Sequence, residues 1–215
     1  MGRGGLKMAQ ILAAQNSHGI VLAAENMAVQ LDDTGKEISF LMNRLLPLTS
    51  HAALMTAGAA EGAEMANALK IFVEGEKVND VQELYGATLA FLSTEYERFM
   101  RKKCEILPID PIHQVSFVLA GRTEKDTARP FRLYFLWTKK KLPQLDGDEI
   151  SYAFSIPRRM GLEFHLNTLC KENAPLREIV DRMKEGIEKL KGQGEIRFPV
   201  SYALMTQEGY QSLSP

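Results

Sequence analysis

The chain has 215 residues, with 26 Lys and Arg against 27 Asp and Glu, so its formal net charge is −1. Hydrophobic residues make up 45% and charged residues 25%, which is typical of a globular protein and not of a disordered one. The balanced charge excludes a uniform basic field for nucleic acid, and no apolar stretch is long enough to predict a membrane span or signal peptide.

The length suits one domain, so we expect residues 1–215 to form a single unit with residues 1–7 as a flexible amino-terminal extension. The two cysteines, Cys104 and Cys170, form no close-spaced metal or redox motif. Together with the missing signal peptide, they predict a reducing, cytoplasmic location.

The first predicted elements are strands. Residues 8–24 are small and apolar except for the turn residues Asn16–Gly19, which predict a hairpin. Two further apolar runs, 38–48 and 52–57, predict additional strands. Pro47 lacks a backbone donor, so we expect it at a strand end or a sheet edge.

The spacing of apolar residues then changes to three and four. Residues 65–73 predict one face of a helix that ends near Gly75. Asp80 is a suitable cap for a second helix, whose apolar stripe extends over 81–99. We interpret the basic triplet 101–103 as charges that complement the dipole of the last helical turn.

The second half of the chain predicts strands, then two helices, then a strand: 115–120, 131–137, 150–155, 161–170, 175–190 and 198–205. Strands in blocks and helices in pairs indicate an α+β protein. We therefore expect antiparallel sheets packed together, with helix pairs on their outer faces.

General motifs indicate no enzyme. The four histidines are widely scattered, and no phosphate-binding loop, dinucleotide fingerprint or serine nucleophile elbow occurs, so we expect no metal and no cofactor. We interpret the aromatic residues of 131–137 as strand core and not as a platform for bases.

Two segments carry a family resemblance. Residues 9–29, AQILAAQNSHGIVLAAENMAV, and 43–70, NRLLPLTSHAALMTAGAAEGAEMANALK, resemble the start of proteasome-type subunits, which have the N-terminal nucleophile hydrolase fold. Later segments at 111–122, 129–137 and 200–206 extend the resemblance over nearly the whole chain. The resemblance implies a four-layer αββα sandwich, in which two antiparallel sheets are flanked by helix pairs.

The chemistry of that family requires an amino-terminal Thr, Ser or Cys as nucleophile, a lysine, an acidic residue and a glycine whose N–H stabilises the oxyanion. In this sequence Ala9, or a neighbour within a residue or two, matches the nucleophile position. Glu25 matches the acidic residue, Arg44 the lysine and Gly58 the glycine. Alanine carries no nucleophile, and arginine is permanently charged, so it cannot take part in proton transfer. We expect no catalytic residues.

Two other parts of the family site also differ. Residues 155–159 replace a serine-containing glycine turn, and 192–195 replace a later Asp and Ser. A purely structural interpretation is open for two positions. Glu25 would form a surface or interface ion pair, for example with Arg44, and Gly58 would permit a tight turn.

These features predict a proteasome subunit-like protein that is catalytically silent and forms rings or stacked rings of identical subunits. A second proteasome-like subunit or an ATPase are further candidate partners, in a setting of protein degradation. One alternative is an active peptidase or amidase that uses Ser17, Cys104 or the pair Glu25 and Arg44. Another is a module that binds an anion or peptide in the same cleft through Arg44, Arg158 and Arg159.

Overall fold

The computed structural model describes residues 9–31, 36–103, 113–139 and 142–213. The strands are β1 (Ile11–Asn16), β2 (Gly19–Glu25), β3 (Met27–Leu31), β4 (Glu37–Leu41), β5 (Leu45–Pro47), β6 (Ala52–Gly58), β7 (Val115–Arg122), β8 (Phe131–Thr138), β9 (Leu145–Ile150), β10 (Ala153–Ile156), β11 (Val200–Thr206) and β12 (Gly209–Leu213). The helices are α1 (Glu61–Glu76), α2 (Val81–Lys103), α3 (Met160–Lys171) and α4 (Leu176–Gly192).

Two five-stranded sheets dominate the described residues. The first sheet has the order β10-β1-β2-β11-β12 and the second has the order β5-β6-β7-β8-β9. Every pairing in them is antiparallel, and β3 and β4 form a separate two-stranded ribbon. The protein is therefore of the mixed α+β class, as its sequence predicts.

Alternate residues of β1 belong to different apolar clusters, because successive side chains of a strand point to opposite faces. Ile11 and Ala13 pack in a cluster that joins the two sheets, whereas Leu12 and Ala14 pack against α3 and α4. A further cluster packs α1 and α2 on the second sheet. The first sheet is thus buried on both faces, which explains why β2 is apolar along most of its length.

The helix boundaries follow the local chemistry of the sequence. Asp80 Oδ1 accepts the backbone N–H groups of Gln82 and Glu83, at 2.9 and 3.3 Å, and so caps the start of α2. Helix α1 ends at Lys77, which has a left-handed backbone conformation. The basic triplet 101–103 lies in the last turn of α2, as predicted.

Two strand predictions are wrong. The run 150–155 does not form one strand, because the chain leaves β9 of the second sheet and enters β10 of the first within two residues. The run 38–48 is likewise divided between β4 and β5. Pro47 ends β5, an edge strand, as its missing N–H predicted.

The expectations for residues 1–7 and for Cys104 concern residues outside the described ranges. None of the helices in those ranges has both the length and the apolar composition that a membrane crossing needs.

Candidate functional site

The four residues that the resemblance singles out lie at the ends of strands. Ala9 precedes β1 and is buried, Glu25 ends β2, Arg44 precedes β5, and Gly58 ends β6. The antiparallel pairing of β1 with β2 and of β5 with β6 places each pair at one end of its sheet. The fold thus brings Glu25 and Arg44 close enough to interact electrostatically.

The carboxylate of Glu25 is buried and already bonded within the chain. Its Oε2 accepts the backbone N–H of Gln10 at 3.0 Å, and its Oε1 accepts that of Arg197 at 3.1 Å. Burial raises the pKa of Glu25, although these two amides and the charges of Arg197 and Arg44 oppose the rise. Glu25, at the end of β2, thus holds the residue before β1 and the segment that leads into β11. Both Glu25 and Arg44 are buried, so the surface form of the predicted ion pair is wrong, and the interface form stays a prediction.

Arg44 is only 3% exposed, and its Nε and Nη1 donate to no acceptor among the described residues. Burial lowers the pKa of this guanidinium, and the nearby charge of Glu25 opposes that change. Its backbone is held by Asn26 Oδ1, which accepts the N–H at 3.3 Å, and by the N–H of Thr56 on its carbonyl at 2.9 Å. The side chain of Arg44 is thus a fixed charge that cannot transfer a proton.

Gly58 is required by its backbone conformation. Its φ is +90°, and a Cβ at this position would lie 2.2 Å from the carbonyl oxygen of Gln114. Any side chain would therefore be strained and would overlap the backbone that leads into β7. The backbone conformation alone therefore requires glycine here, whether or not the N–H of Gly58 also stabilises an oxyanion.

Gln10, next to Ala9, connects the start of β1 to the segment 155–159. Its Nε2 donates to the carbonyls of Ile156 and Pro157 at 3.1 and 3.2 Å, and its Oε1 accepts Nε of Arg159 at 3.0 Å. Arg159 also forms an ion pair with Glu195. The segments 155–159 and 192–195 are therefore brought together by the ion pair between Arg159 and Glu195. This pair contacts the start of β1 through the bond of Arg159 to Gln10.

Ser155 and Glu163 form the other half of this group. Ser155 Oγ donates to Glu163 Oε1 at 2.5 Å and accepts the backbone N–H of Arg159 at 2.8 Å. Arg158 donates from Nε and Nη2 to the same carboxylate. Burial acts to raise the pKa of Glu163, but the bonds from Arg158, Ser155 and Arg159 outweigh it and lower the pKa. We call Gln10, Glu25, Arg44, Ser155, Arg158, Arg159, Glu163 and Glu195 the polar cluster.

The proposed convergence of Arg44, Arg158 and Arg159 on an external anion stays a prediction. In the structure Arg158 is engaged by Glu163 and Arg159 by Glu195 and Gln10, so both guanidinium groups would have to leave carboxylate or amide partners first. Arg44 instead interacts electrostatically with Glu25, whose carboxylate accepts the backbone N–H of Gln10.

Ser17, Ser155 and Cys170 are not bonded to an effective base, and the predicted candidate Cys104 lies outside the described ranges. Ser17 is exposed in the β1–β2 turn, and its Oγ donates to Asn173 Oδ1 at 2.7 Å. Ser155 is fully buried and bonded to a carboxylate whose pKa is lowered, so that carboxylate is a weak base. Cys170 is buried, and burial raises the pKa of its thiol to about 11, which keeps it protonated at neutral pH.

Sequence reasoning missed Gln10 and Glu163. Neither residue belongs to a motif, although Gln10 adjoins Ala9 and Glu163 lies in the first turn of α3. A polar residue at the start of an otherwise apolar strand was the one available signal for Gln10. Within the described ranges, no three His, Cys, Asp or Glu side chains are grouped as a metal site would require.

Comparisons were made with protein-family models and with curated proteins. No family model matches the chain, and no curated protein matches it.

Proposed function

We propose that this protein is a catalytically silent, ring-forming subunit of the proteasome type. The observation that carries the proposal is the methyl group of Ala9 at the position of the nucleophile, buried beside polar groups that bond mainly to one another. A site without a nucleophile, whose charged groups are bonded to one another, has no evident catalytic use. This supports assembly as the role of the chain. Cytoplasmic location and a role in protein degradation belong to the same proposal.

We also infer a four-layer αββα arrangement of the N-terminal nucleophile hydrolase type. Three apolar clusters support this inference: one joins α1 and α2 to the second sheet, one joins the two sheets, and one joins the first sheet to α3 and α4. The central β1–β2 hairpin and the position of Gly58 at a strand end also agree with the resemblance.

Exposed apolar side chains on two helices support assembly. Ile71 on α1 is 72% exposed, and Met160 and Phe164, one turn apart on α3, are 74% and 69% exposed. Large apolar groups that share a helix face in this way are candidates for burial between subunits. Neighbouring subunits of a ring would cover them.

Light scattering coupled to size-exclusion chromatography tests the assembly directly. We expect a mass several times 24.1 kDa. Phe164→Glu and Ile71→Glu place a charge on the outer faces of α3 and α1, and at least one of them should reduce the mass to that of a smaller species. Asn79→Glu in the loop between α1 and α2 is the control and should leave the mass unchanged. A monomer at micromolar concentration would contradict the proposal.

A second measurement addresses catalysis. Fluorogenic peptides should not be cleaved, and a covalent electrophile should leave the intact mass unchanged. An adduct on Ser17, Cys104 or any other residue would instead favour the alternative of a peptidase or amidase with an unconventional nucleophile.

A further inference from the structure

An open cleft lies where the chain passes from one sheet to the other. β9 is an edge strand of the second sheet and β10 is an edge strand of the first, and only residues 151–152 connect them. The two edges enclose a cleft of about 600 Å³, lined by residues of β8, β9 and β10 and by Arg158. This volume is within the range of sites that hold a small ligand or a large side chain.

One wall of the cleft is aromatic. The rings of Phe135 and Trp137 are stacked, with centroids 4.9 Å apart, and Phe154 of β10 lies 4.6 Å from Phe135. All three side chains are only partly buried, and the guanidinium of Arg158 lies over the Phe154 ring, 4.8 Å from its centroid. The aromatic wall therefore already holds one guanidinium of the chain, while Phe135 and Trp137 remain partly exposed beside it. The polarised faces of aromatic rings attract cations.

The charges of the cleft leave one carboxylate without a counterion. Arg158 is paired with Glu163, and Glu149 accepts a hydrogen bond from Arg129 at 2.9 Å. Asp148 lies directly opposite Phe135 in the β8–β9 register, and no basic side chain of the described residues pairs with it. The aromatic wall therefore adjoins a carboxylate that is paired with no basic side chain in the part of the chain that the structure describes.

The backbone of β9 is not free for an added strand. The N–H of Gly147 donates to Asp146 Oδ1 at 3.1 Å, and the N–H of Glu149 donates to Asp148 Oδ1 at 2.8 Å. Side chains that occupy edge amides in this way oppose pairing with another strand. Recognition at this edge therefore depends on side chains.

We propose that the aromatic cleft binds an arginine side chain of a partner peptide at Phe135, Trp137 and Asp148, beside the Phe154 ring that Arg158 covers. A guanidinium is planar, stacks on aromatic faces and pairs with a carboxylate, which are the two features that the cleft combines. An anion would be repelled by Asp148, and a neutral apolar group would remove water from that carboxylate without replacing it. The proposal does not depend on ring assembly or on the absence of catalysis.

Trp137 makes the test direct, because it is the single tryptophan of the chain and lies in the cleft. The probe is the peptide acetyl-Gly-Arg-Gly-amide, titrated while tryptophan fluorescence is recorded. Its control is the same peptide with citrulline, which keeps the shape of arginine without the charge. We expect a saturable change with arginine and binding at least about tenfold weaker with citrulline. Equal responses to both peptides, or no response to arginine, would overturn the proposal.

Variants assign the effect to the cleft. Asp148→Asn should weaken binding of the arginine peptide about tenfold, and Phe135→Leu should weaken it to a similar extent. Isothermal titration calorimetry measures both affinities. Asp181→Asn on α4 makes the same change of charge outside the cleft and should bind like the unmodified protein. Circular dichroism verifies that each variant is folded. Unchanged affinity in folded Asp148→Asn would contradict the proposal.

Discussion

The side chains on the two faces of β10 lie in different environments. Ser155 points toward α3 and belongs to the polar cluster, where its hydroxyl, Glu163 and Arg158 bond to one another. Phe154, one residue earlier, points into the aromatic cleft, whose carboxylate at Asp148 has no counterion among the described residues. Because adjacent residues of a strand face opposite sides, one short strand separates a closed site from an open one.

This contrast indicates which polar groups stabilise and which are available to bind. A charge buried among internal partners contributes to stability only while every partner stays in place. A charge at an open edge contributes little to stability and is available to a ligand. Variants on the closed side should therefore unfold the protein, whereas variants on the open side should change binding alone.

Gly58→Ala should have the largest effect, because alanine at φ +90° is strained and its Cβ would lie 2.2 Å from the carbonyl oxygen of Gln114. We expect the free energy of unfolding to fall by about 4 kcal/mol. The matched control is Gly75→Ala, in a helix with no atom near the added Cβ, which should stabilise the protein by about 0.5 kcal/mol. Urea unfolding measures both, and a neutral Gly58→Ala would contradict the structural role of this glycine.

Glu163→Gln should reduce the free energy of unfolding by about 3 kcal/mol, because it removes a buried carboxylate that accepts bonds from Ser155, Arg158 and the Arg159 backbone. The exposed Glu172→Gln provides the comparison and should be nearly neutral.

The same variant has a defined pH dependence. The pKa of Glu163 in the folded protein lies below its ordinary value of 4.5, so its stabilisation is present above about pH 4.5 and is lost as the pH falls through the folded pKa. Glu163→Gln should therefore lose less stability than the unmodified protein on acidification below pH 4.5. If the free energy of unfolding depended on pH in the same way for both proteins, the paired carboxylate of Glu163 would be contradicted.

Glu25→Gln should reduce the free energy of unfolding by about 2 kcal/mol. The carboxylate accepts two backbone N–H groups, whereas a carboxamide supplies one acceptor and one donor, so one of the N–H groups of Gln10 and Arg197 would face another donor. The change also removes the negative charge near Arg44. Thermal unfolding measures this loss, with Glu178→Gln at an exposed position as the control variant.

Asp148→Asn should have the smallest effect on folding, below about 0.5 kcal/mol, because Asp148 is exposed and without an ion-pair partner in the described ranges. Its effect should appear in the affinity for the arginine peptide. A large loss of stability in this variant would remove the distinction between the open and closed sides of β10.

Much of the architecture was predictable from the chain. The hairpin at Asn16–Gly19, the cap at Asp80 and the apolar stripe of α2 follow from local rules of turn chemistry and helical spacing. The strand at 150–155 was predicted wrongly because hydrophobic periodicity carries no information about a change of sheet. β9, with the sequence LDGDEI, is polar and forms because β8 offers a partner edge.

The candidate site was likewise predictable only in part. Ala9, Glu25, Arg44 and Gly58 were identified from the resemblance, but their sequence positions did not reveal that Glu25 is held by two backbone amides. Gln10 and Glu163 belong to no motif, and their partners are distant along the chain. Phe135 and Trp137 were interpreted as core, and the structure leaves them partly exposed because the sheets separate at β9 and β10.

The sequence by itself determined the elements that local interactions encode, which are the helices, the main hairpin and the α+β class, because propensity and periodicity act over a few residues. Tertiary structure alone decided which charges are satisfied and which edge stays open. Those properties depend on contacts such as Arg159 with Gln10, between residues separated by most of the chain, and only the packed sheets bring them together.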